Sequence, residues 1–139
     1  MFVHIRYLLW PGGKGRIAAQ ITECFVQAGC TTLWDPFCGS ARVSMVAAGG
    51  GLNVIASDAD VNVINTHLAV RQDAASVIDL HSAIAQLHHA DSLSYEAARD
   101  LGNGIEWGGF NDALKAALLL FLNRAGFNGI WRFNQSGGF

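Results

Sequence analysis

The chain has 139 residues, of which 51% are hydrophobic and 14% charged, and its mean hydropathy is +0.27. A single domain of this length is unusually apolar, which predicts that something else covers part of its surface. A membrane is excluded as the cover, because the longest apolar run, 116–122, falls well short of the roughly 18 to 20 residues of a spanning helix. With no secretory signal before Pro11, we expect a cytoplasmic protein.

The net charge of −2 hides a segregation of charges along the chain. All 11 acidic residues lie between Glu23 and Asp112, so that residues 1–22 and 113–139 carry basic charges alone. Two basic ends suit a nucleic-acid partner, although the charges taken alone favour the plainer explanation of uneven scatter in a short chain.

The cysteines and histidines indicate no metal chemistry. Cys24, Cys30 and Cys38 form no C-x-x-C pair and sit among apolar residues, so we interpret all three as small core residues. The five histidines show no metal-binding spacing, and we interpret them as surface or satisfied, partly buried side chains. No metal site is expected.

Taken in chain order, the first half predicts a β-α-β unit. A loop rich in glycine at 12–15 precedes a helix whose apolar face includes Ile17, Ile21 and Phe25 and which ends at Gly29. A strand is predicted at 31–34, a helix at 42–48 and a second strand at 52–56, which places the unit at about 31–60.

The second half is predicted to be helical. Apolar periodicity indicates helices at about 61–71, 74–89, 94–100 and 111–124, with a loop at 102–109. The tail, 126–139, is rich in glycine, asparagine and aromatic residues, which predicts an irregular but structured segment. The predicted fold class is therefore α/β, helix-rich and with few parallel strands.

The turn between the first strand and the second helix has the position of a nucleotide-binding loop. It contains Gly39 at the carboxyl end of the strand, and Asp58 follows nineteen residues later, where a carboxylate can accept hydrogen bonds from ribose hydroxyls. These two residues leave the nicotinamide, adenine and S-adenosylmethionine classes open. In the alternative interpretation, Gly39 only turns the chain and Asp58 caps a helix at Val61.

Lys14 lies among glycines and is a candidate anion-binding residue. The loop is not a Walker motif, since Gly15 stands where a hydroxyl for magnesium is needed. A carboxylate is as suitable a partner for Lys14 as a phosphate.

Four segments together resemble the Dam-type (D12 class) adenine-specific DNA methyltransferases. W-P-G-G-K at 10–14 is similar to the family's W-x-G-G-K, and D-P-F-C-G-S at 35–40 to its E-P-F-x-G-x loop. S-D-A-D at 57–60 resembles the D-I-N ribose motif. The strongest match is 121–134, which resembles L-N-R-x-G-[FY]-N-G-L-x-R-x-N with its many fixed positions.

The resemblance implies an S-adenosylmethionine-dependent, Rossmann-like methyltransferase fold. It also implies methyl transfer from S-adenosylmethionine to the exocyclic amine of adenine in double-stranded DNA, as in DNA methylation and restriction-modification. By position, the cofactor-binding residues are Trp10, Gly13, Lys14, Phe37, Gly39 and Asp58, with Lys14 at the methionine end and Asp58 at the ribose. The residues near DNA are Arg124, Asn128 and Arg132.

The sequence departs from the family pattern in two respects, and both bear on whether the chain can bind cofactor and catalyse methyl transfer. Ala41 stands where the methionine loop has its second glycine, which adds a methyl group near the cofactor. No D-P-P-Y catalytic motif occurs in the sequence, so no catalytic residue is assigned. We interpret 1–139 as the N-terminal part of a methyltransferase domain, with a helical segment at 61–125 and the L-N-R block at 122–134. We expect it to bind cofactor without full catalysis.

Two other functions remain as alternatives. In the first, the chain is a non-catalytic module that binds cofactor or DNA, as a remnant, a decoy or half of a split enzyme. In the second, it is a nucleotide-binding oxidoreductase, a function that leaves the block at 123–134 unexplained. The apolar composition predicts self-association or a complementing C-terminal polypeptide.

Overall fold

The computed structural model describes residues 7–108, 111–136 and 138–139. Arg6 and His4, and Gly109 and Gly137 of the predicted loop and tail, lie outside the described residues. The helices and strands, in chain order, are α1 (Ala18–Gln27), β1 (Thr32–Asp35), α2 (Arg42–Gly49), β2 (Asn53–Ala56), α3 (Val61–Gln72), α4 (Ala74–His89), α5 (Tyr95–Gly104), α6 (Asp112–Ala125) and a 3₁₀ turn, Phe127–Gly129.

The chain forms two compact units, Met1–Val63 and Ile64–Phe139. In the first, β1 and β2 pair in parallel with Leu33 opposite Val54 and Trp34 opposite Ile55. Helix α2 covers one face of this pair, where Leu33, Ala47 and Leu52 form a buried cluster. The predicted β-α-β unit is present, and the fold is a helix-rich α/β structure with a two-stranded parallel sheet.

Helix α1 buries a different face from the predicted one. Its buried residues are Ala18 and Thr22, whereas Ile17 and Phe25 are exposed. The physical reason is close packing against α2. A Cβ added to Gly50, which follows α2, would lie 3.0 Å from the Thr22 methyl carbon, so small side chains are needed where the two helices meet.

The prediction that all three cysteines are core residues is wrong for two of them. Cys24 and Cys30 are exposed, and only Cys38 is buried. Cys24 lies on the face of α1 that points away from α2, and Cys30 follows the end of that helix. There Gly29 has φ +74° and the amide of Cys30 donates to the carbonyl of Phe25, which closes a Schellman turn.

In the second unit α6 is the central helix. Its residues from Lys115 to Asn123 are all buried, as expected of a helix surrounded on every side. Helices α4 and α5 both pack against it. The Lys115 ammonium donates to the carbonyl of Ile105 and lies 5.1 Å from the centroid of the Trp107 ring, and burial lowers its pKa.

Helix α5 is longer than predicted, because residues 102–104, assigned above to a loop, belong to it. Gly102 is buried where α5 meets α6. A Cβ at that position would lie 3.5 Å from the Cβ of Leu118 and 3.7 Å from Cδ1 of Leu122. The glycine therefore marks a close helix–helix contact, and this packing outweighs its low helix propensity.

The tail is irregular and structured, as predicted, in the residues described. The Trp131, Phe133 and Phe139 rings contact each other edge to face, with centroids 5.2 to 5.8 Å apart. The Asn134 side-chain oxygen accepts from the amides of Ser136 and Gly138, both at 3.0 Å. These hydrogen bonds fold the tail back on itself.

Among the described residues, no helix has both the length and the apolar character needed to cross a bilayer.

Candidate functional site

The candidate site lies at the carboxyl end of β1. The loop after this strand, Pro36–Ala41, is fastened to the end of β2, since the amide of Cys38 donates to the carbonyl of Ser57 at 2.9 Å. In parallel α/β units, ligands bind at this edge of the sheet, next to the N-terminus of the following helix. Here that helix is α2.

Trp10 and Gly39 are in direct contact. A Cβ added to Gly39 would lie 2.6 Å from the indole nitrogen of Trp10 and 2.8 Å from Cε2, closer than real side-chain contacts allow. Gly39 also has φ +47°, a conformation that other residues rarely adopt. Glycine is required at this position for both reasons, and the opening loop and the loop after β1 form one surface.

Asp58 holds the same loop from the other side. Its Oδ2 accepts the Gly39 amide at 2.8 Å, and its Oδ1 accepts the Asp60 amide at 3.0 Å. The alternative in which Asp58 caps the next helix is wrong. Asp60 is the cap of α3, because its Oδ1 accepts the amides of Asn62 and Val63 at 2.9 and 3.4 Å.

Lys14 lies on the rim of a cavity of about 310 Å³. Its ammonium donates to the carbonyl of Gly12 at 2.7 Å, which uses one of three donors. Asp35 lines the same cavity, and its Oδ2 accepts the Ser44 hydroxyl at 2.6 Å. The lining is formed by residues 10–14, 35, 37, 38, 40, 42 and 43.

All six predicted cofactor residues lie in the first unit, and four of them line the cavity. Trp10, Gly13, Lys14 and Phe37 line the cavity, and Gly39 contacts Trp10. Phe37 is 84% exposed, so its ring is available to a ligand. Asp58 is not part of the cavity lining; its connection to the loop is the hydrogen bond with Gly39.

Cys38 lies inside the loop as a neutral group. Burial, together with the carboxylates of Asp58 and Asp35, raises the pKa of its thiol to about 11. The thiol therefore adds no negative charge to the site at neutral pH.

Ala41, at the position where the family pattern has glycine, adopts a left-handed conformation that favours glycine. It has φ 53° and ψ 26° at the N-terminal boundary of α2 and is buried. A left-handed alanine costs about 1 to 2 kcal/mol relative to the right-handed conformation. The departure from the family pattern is thus a backbone strain as well as an added methyl group.

The three predicted DNA-binding residues belong to the second unit. Arg124 lies in the last turn of α6, Asn128 lies in the 3₁₀ turn with φ 58°, and Arg132 follows that turn; all three are exposed. The neighbouring Asn123 is fully buried, and its amide donates to the carbonyl of Gly129 at 3.1 Å, which positions the turn.

The sequence reasoning missed Asp35 and Arg42 as lining residues. The position of Asp35 at the carboxyl end of a parallel strand was the signal that could have found it. Arg42 carried no comparable signal, because its place in the site depends on how α2 meets the opening loop. Among the described residues, no group of three or more histidine, cysteine, aspartate or glutamate side chains is arranged to hold a metal ion.

The profile of the D12 class N6 adenine-specific DNA methyltransferases matches residues 10–139. The chain belongs to this family.

Three curated relatives agree with this assignment. The chain is 32% identical to the DNA N-6-adenine-methyltransferase of Escherichia phage P1 over 94% of its own length and 16% of the relative. It is 27% identical to the retron Ec67 DNA adenine methylase of Escherichia coli, with 95% of the chain and 44% of the relative covered. The DNA adenine methylase of Haemophilus influenzae is also 27% identical, over 98% of the chain and 46% of the relative.

The chain thus spans less than half the length of each of these relatives. No solved structure matches it significantly.

Proposed function

We propose that this chain is the cofactor-binding part of an adenine-specific DNA methyltransferase that takes its methyl group from S-adenosylmethionine. The contact between Trp10 and Gly39 is the observation that carries the proposal. It joins the two segments that the family resemblance assigns to the cofactor, and it stands at the sheet edge where such folds bind ligands.

The charges of the cavity suit the methionine end of the cofactor. Lys14 has two ammonium protons beyond the one given to Gly12, and these can meet a carboxylate. Asp35 on the same cavity offers an acceptor for an α-ammonium group. The cofactor supplies the electrophilic methyl group, and the task of these residues is to bind and orient it.

Asp58 is proposed to accept the ribose hydroxyls. Each of its oxygens accepts one backbone amide, which leaves further lone pairs on both. The same two amides fix the orientation of the carboxylate. Phe37 and Gly39 would line the loop beneath the cofactor.

DNA is proposed to contact Arg124, Asn128 and Arg132 of the second unit. The two exposed arginines can bind phosphates or guanine edges, and Asn128 lies in the turn that Asn123 positions. Arg124 and Arg132 then serve DNA binding despite the negative total charge, whereas Lys115, the other basic residue after Asp112, is buried in α6.

We further propose that these 139 residues alone bind cofactor and DNA without transferring a methyl group. Methyl transfer needs acceptors that polarise the adenine amine, and the family's D-P-P-Y motif, which provides them, does not occur in the sequence. A complementing C-terminal polypeptide would cover the open face of the sheet, where Trp34 and Ile55 are 67% and 59% exposed.

Calorimetric titration with S-adenosylmethionine tests the cofactor assignment. Asp58→Ala should weaken binding about tenfold or more, because a charge-assisted hydrogen bond to the ribose is removed. Asp79→Ala, at an exposed position on α4, is the matched control and should bind as the wild type.

Asp58 also supports the Gly39 loop, so a second comparison isolates its contact with the ribose. A cofactor analogue lacking the ribose hydroxyls should bind the wild type more weakly but should bind Asp58→Asn no more weakly than the natural cofactor does. An equal loss in both proteins would refute the role of Asp58.

Transfer of labelled methyl groups to adenine-containing duplex DNA tests the catalytic part of the proposal. The chain alone should show no transfer, and addition of a polypeptide that carries D-P-P-Y should restore it. Inhibition of an intact methyltransferase without restored transfer would favour a non-catalytic module. Transfer by the chain alone would refute its inactivity.

A further inference from the structure

A second cavity, of about 280 Å³, adjoins the one described above. The two share Trp10, Gly13, Ser40 and Arg42 in their linings. What distinguishes the second is its charge. Among the described residues that line it, the ionisable side chains are those of Arg16 and Arg42, and none is a carboxylate. In the first cavity, in contrast, the carboxylate of Asp35 accompanies the positive charges of Lys14 and Arg42.

The guanidinium of Arg42 lies against the backbone of the opening loop. A Cβ added to Gly15 would be 3.1 Å from its Nε and 3.4 Å from its Nη2, a tight approach. Glycine at position 15 therefore leaves room for the guanidinium to lie on the loop. Because Gly15 is next to Arg16 in sequence, this packing brings the two arginines to the same cavity.

The N-terminus of α2 adds to the positive potential of this cavity. Arg42 is the first residue of the helix, and Ala41 before it has no polar side chain with which to cap the first amides. These amides and the helix dipole favour an anion near the start of α2. Two guanidinium groups suit an oxyanion, since each presents a fork of donors to its oxygens.

The chemistry of the two substrates identifies the anion. The cofactor has one carboxylate, which the proposed function assigns to Lys14 in the first cavity. The remaining anionic groups are the phosphates of the DNA backbone. An adenine presented to the cofactor must bring its flanking phosphates to the edge of the cofactor site.

We propose that Arg16 and Arg42 form a subsite for a backbone phosphate of the DNA substrate, beside the cofactor cavity. This inference rests on the proposed function. It adds a DNA contact in the first unit to those proposed for Arg124, Asn128 and Arg132 in the second.

The salt dependence of DNA binding tests the subsite. The affinity for a labelled duplex is measured by fluorescence anisotropy over a series of salt concentrations. It should depend less steeply on salt concentration for Arg42→Gln than for the wild type. The slope of log K against log salt should become shallower by about 0.9 for each phosphate that the variant no longer binds. Arg16→Gln should act in the same direction, and the weakening should be similar for duplexes of any sequence.

Three controls accompany this measurement. Arg71→Gln removes an exposed arginine of α3 and should keep the wild-type slope. Gly15→Ala keeps both arginines but displaces the Arg42 guanidinium, so it should weaken DNA binding if the variant melts like the wild type. The affinity for S-adenosylmethionine should stay within about twofold of wild type in Arg16→Gln, because Arg16 lines the second cavity and not the cofactor cavity.

Duplexes with a single uncharged methylphosphonate give a sharper result. One substituted position should weaken binding to the wild type and have no further effect on Arg42→Gln, because that variant no longer binds the phosphate at this position. Inorganic phosphate, titrated separately, shows whether a free ion occupies the same site.

The outcomes separate the inference from the proposed function. If the wild type binds cofactor and DNA but Arg42→Gln and Arg16→Gln keep its salt slope, the subsite is refuted and the function stands. A loss of cofactor affinity with an unchanged slope would assign the arginines to the cofactor carboxylate instead. Arginine-dependent binding of free phosphate, again with an unchanged slope, would likewise overturn the proposal. If the wild type binds neither ligand, both proposals fail.

Discussion

The amide of Gly39 donates a 2.8 Å hydrogen bond to the carboxylate of Asp58, nineteen residues further along the chain. The other side of Gly39 is covered by the indole of Trp10. Three segments that are distant in sequence thus meet at one glycine, and several consequences of this arrangement can be measured.

Gly39→Ala should destabilise the protein. The added Cβ meets Trp10 at 2.6 Å, an overpacking that costs about 1–3 kcal/mol, and φ is +47°, which costs about 1–2 kcal/mol more, so the free energy of unfolding should fall by about 2–5 kcal/mol. Urea unfolding measures the loss. Gly49→Ala is the matched control, because a Cβ there meets nothing within 4 Å and α2 should gain about 0.5–1 kcal/mol.

The Trp10→Ala background separates the two causes. Without the indole, Gly39→Ala should retain only the conformational cost of about 1–2 kcal/mol. An undiminished loss in this background would show that the contact with Trp10 does not determine the effect.

Ala41 should respond to substitution in a characteristic order. Ala41→Val should lower the melting temperature clearly, because a β-branched side chain is more strained at φ 53°. The free energy of unfolding of Ala41→Gly should stay within about 1 kcal/mol of the wild-type value, since relief of backbone strain is offset by greater freedom of the unfolded chain. Ala48→Val, at an exposed position of the same helix, should lower the free energy of unfolding by less than about 1 kcal/mol. Equal effects of valine at the two positions would contradict the strained backbone.

The cysteines should differ in reactivity. In the native protein at pH 8, a thiol reagent should modify Cys24 and Cys30, which are exposed, and leave Cys38 unmodified until the protein is denatured. Mass spectrometry of the labelled peptides distinguishes the three residues. Rapid native modification of Cys38 would show that the loop opens.

Stability should also fall at high pH because of Cys38. Its pKa is raised from 9.0 in the unfolded reference to about 11, so between these values the unfolded state loses a proton that the folded state keeps. The stability that the folded protein gains by keeping the Cys38 thiol protonated is complete below pH 9 and is lost as the pH rises through 11. Cys38→Ala should flatten the decline between pH 9 and 10, below the range where Tyr7, whose pKa burial also raises, contributes.

Asn123→Ala should destabilise the second unit. The substitution leaves the Gly129 carbonyl without its buried donor and opens a cavity beside α6, which together should cost about 1–3 kcal/mol. Asn111→Ala, at an exposed position before α6, should cost much less, because the Asn111 side chain makes no capping hydrogen bond. Denaturant unfolding of the two variants provides the comparison.

The sequence by itself determined the β-α-β unit and most helix boundaries, and it singled out Gly39 and Asp58 as candidate site residues. These features depend on local periodicity, on the special backbone of glycine and on a fixed chain spacing. Helix α4, for example, begins and ends at the predicted residues, because Asp73 caps it at one end through the amide of Ser76.

The tertiary structure alone decided which face of α1 is buried, that α5 continues through Gly102, and that Asp60 rather than Asp58 caps α3. It also brought Asp35 and Arg42 to the cavities. The physical reason is that burial and hydrogen bonding depend on what a neighbouring element presents. A small residue packs closer than a large one, and a carboxylate binds whichever amide the fold brings within reach.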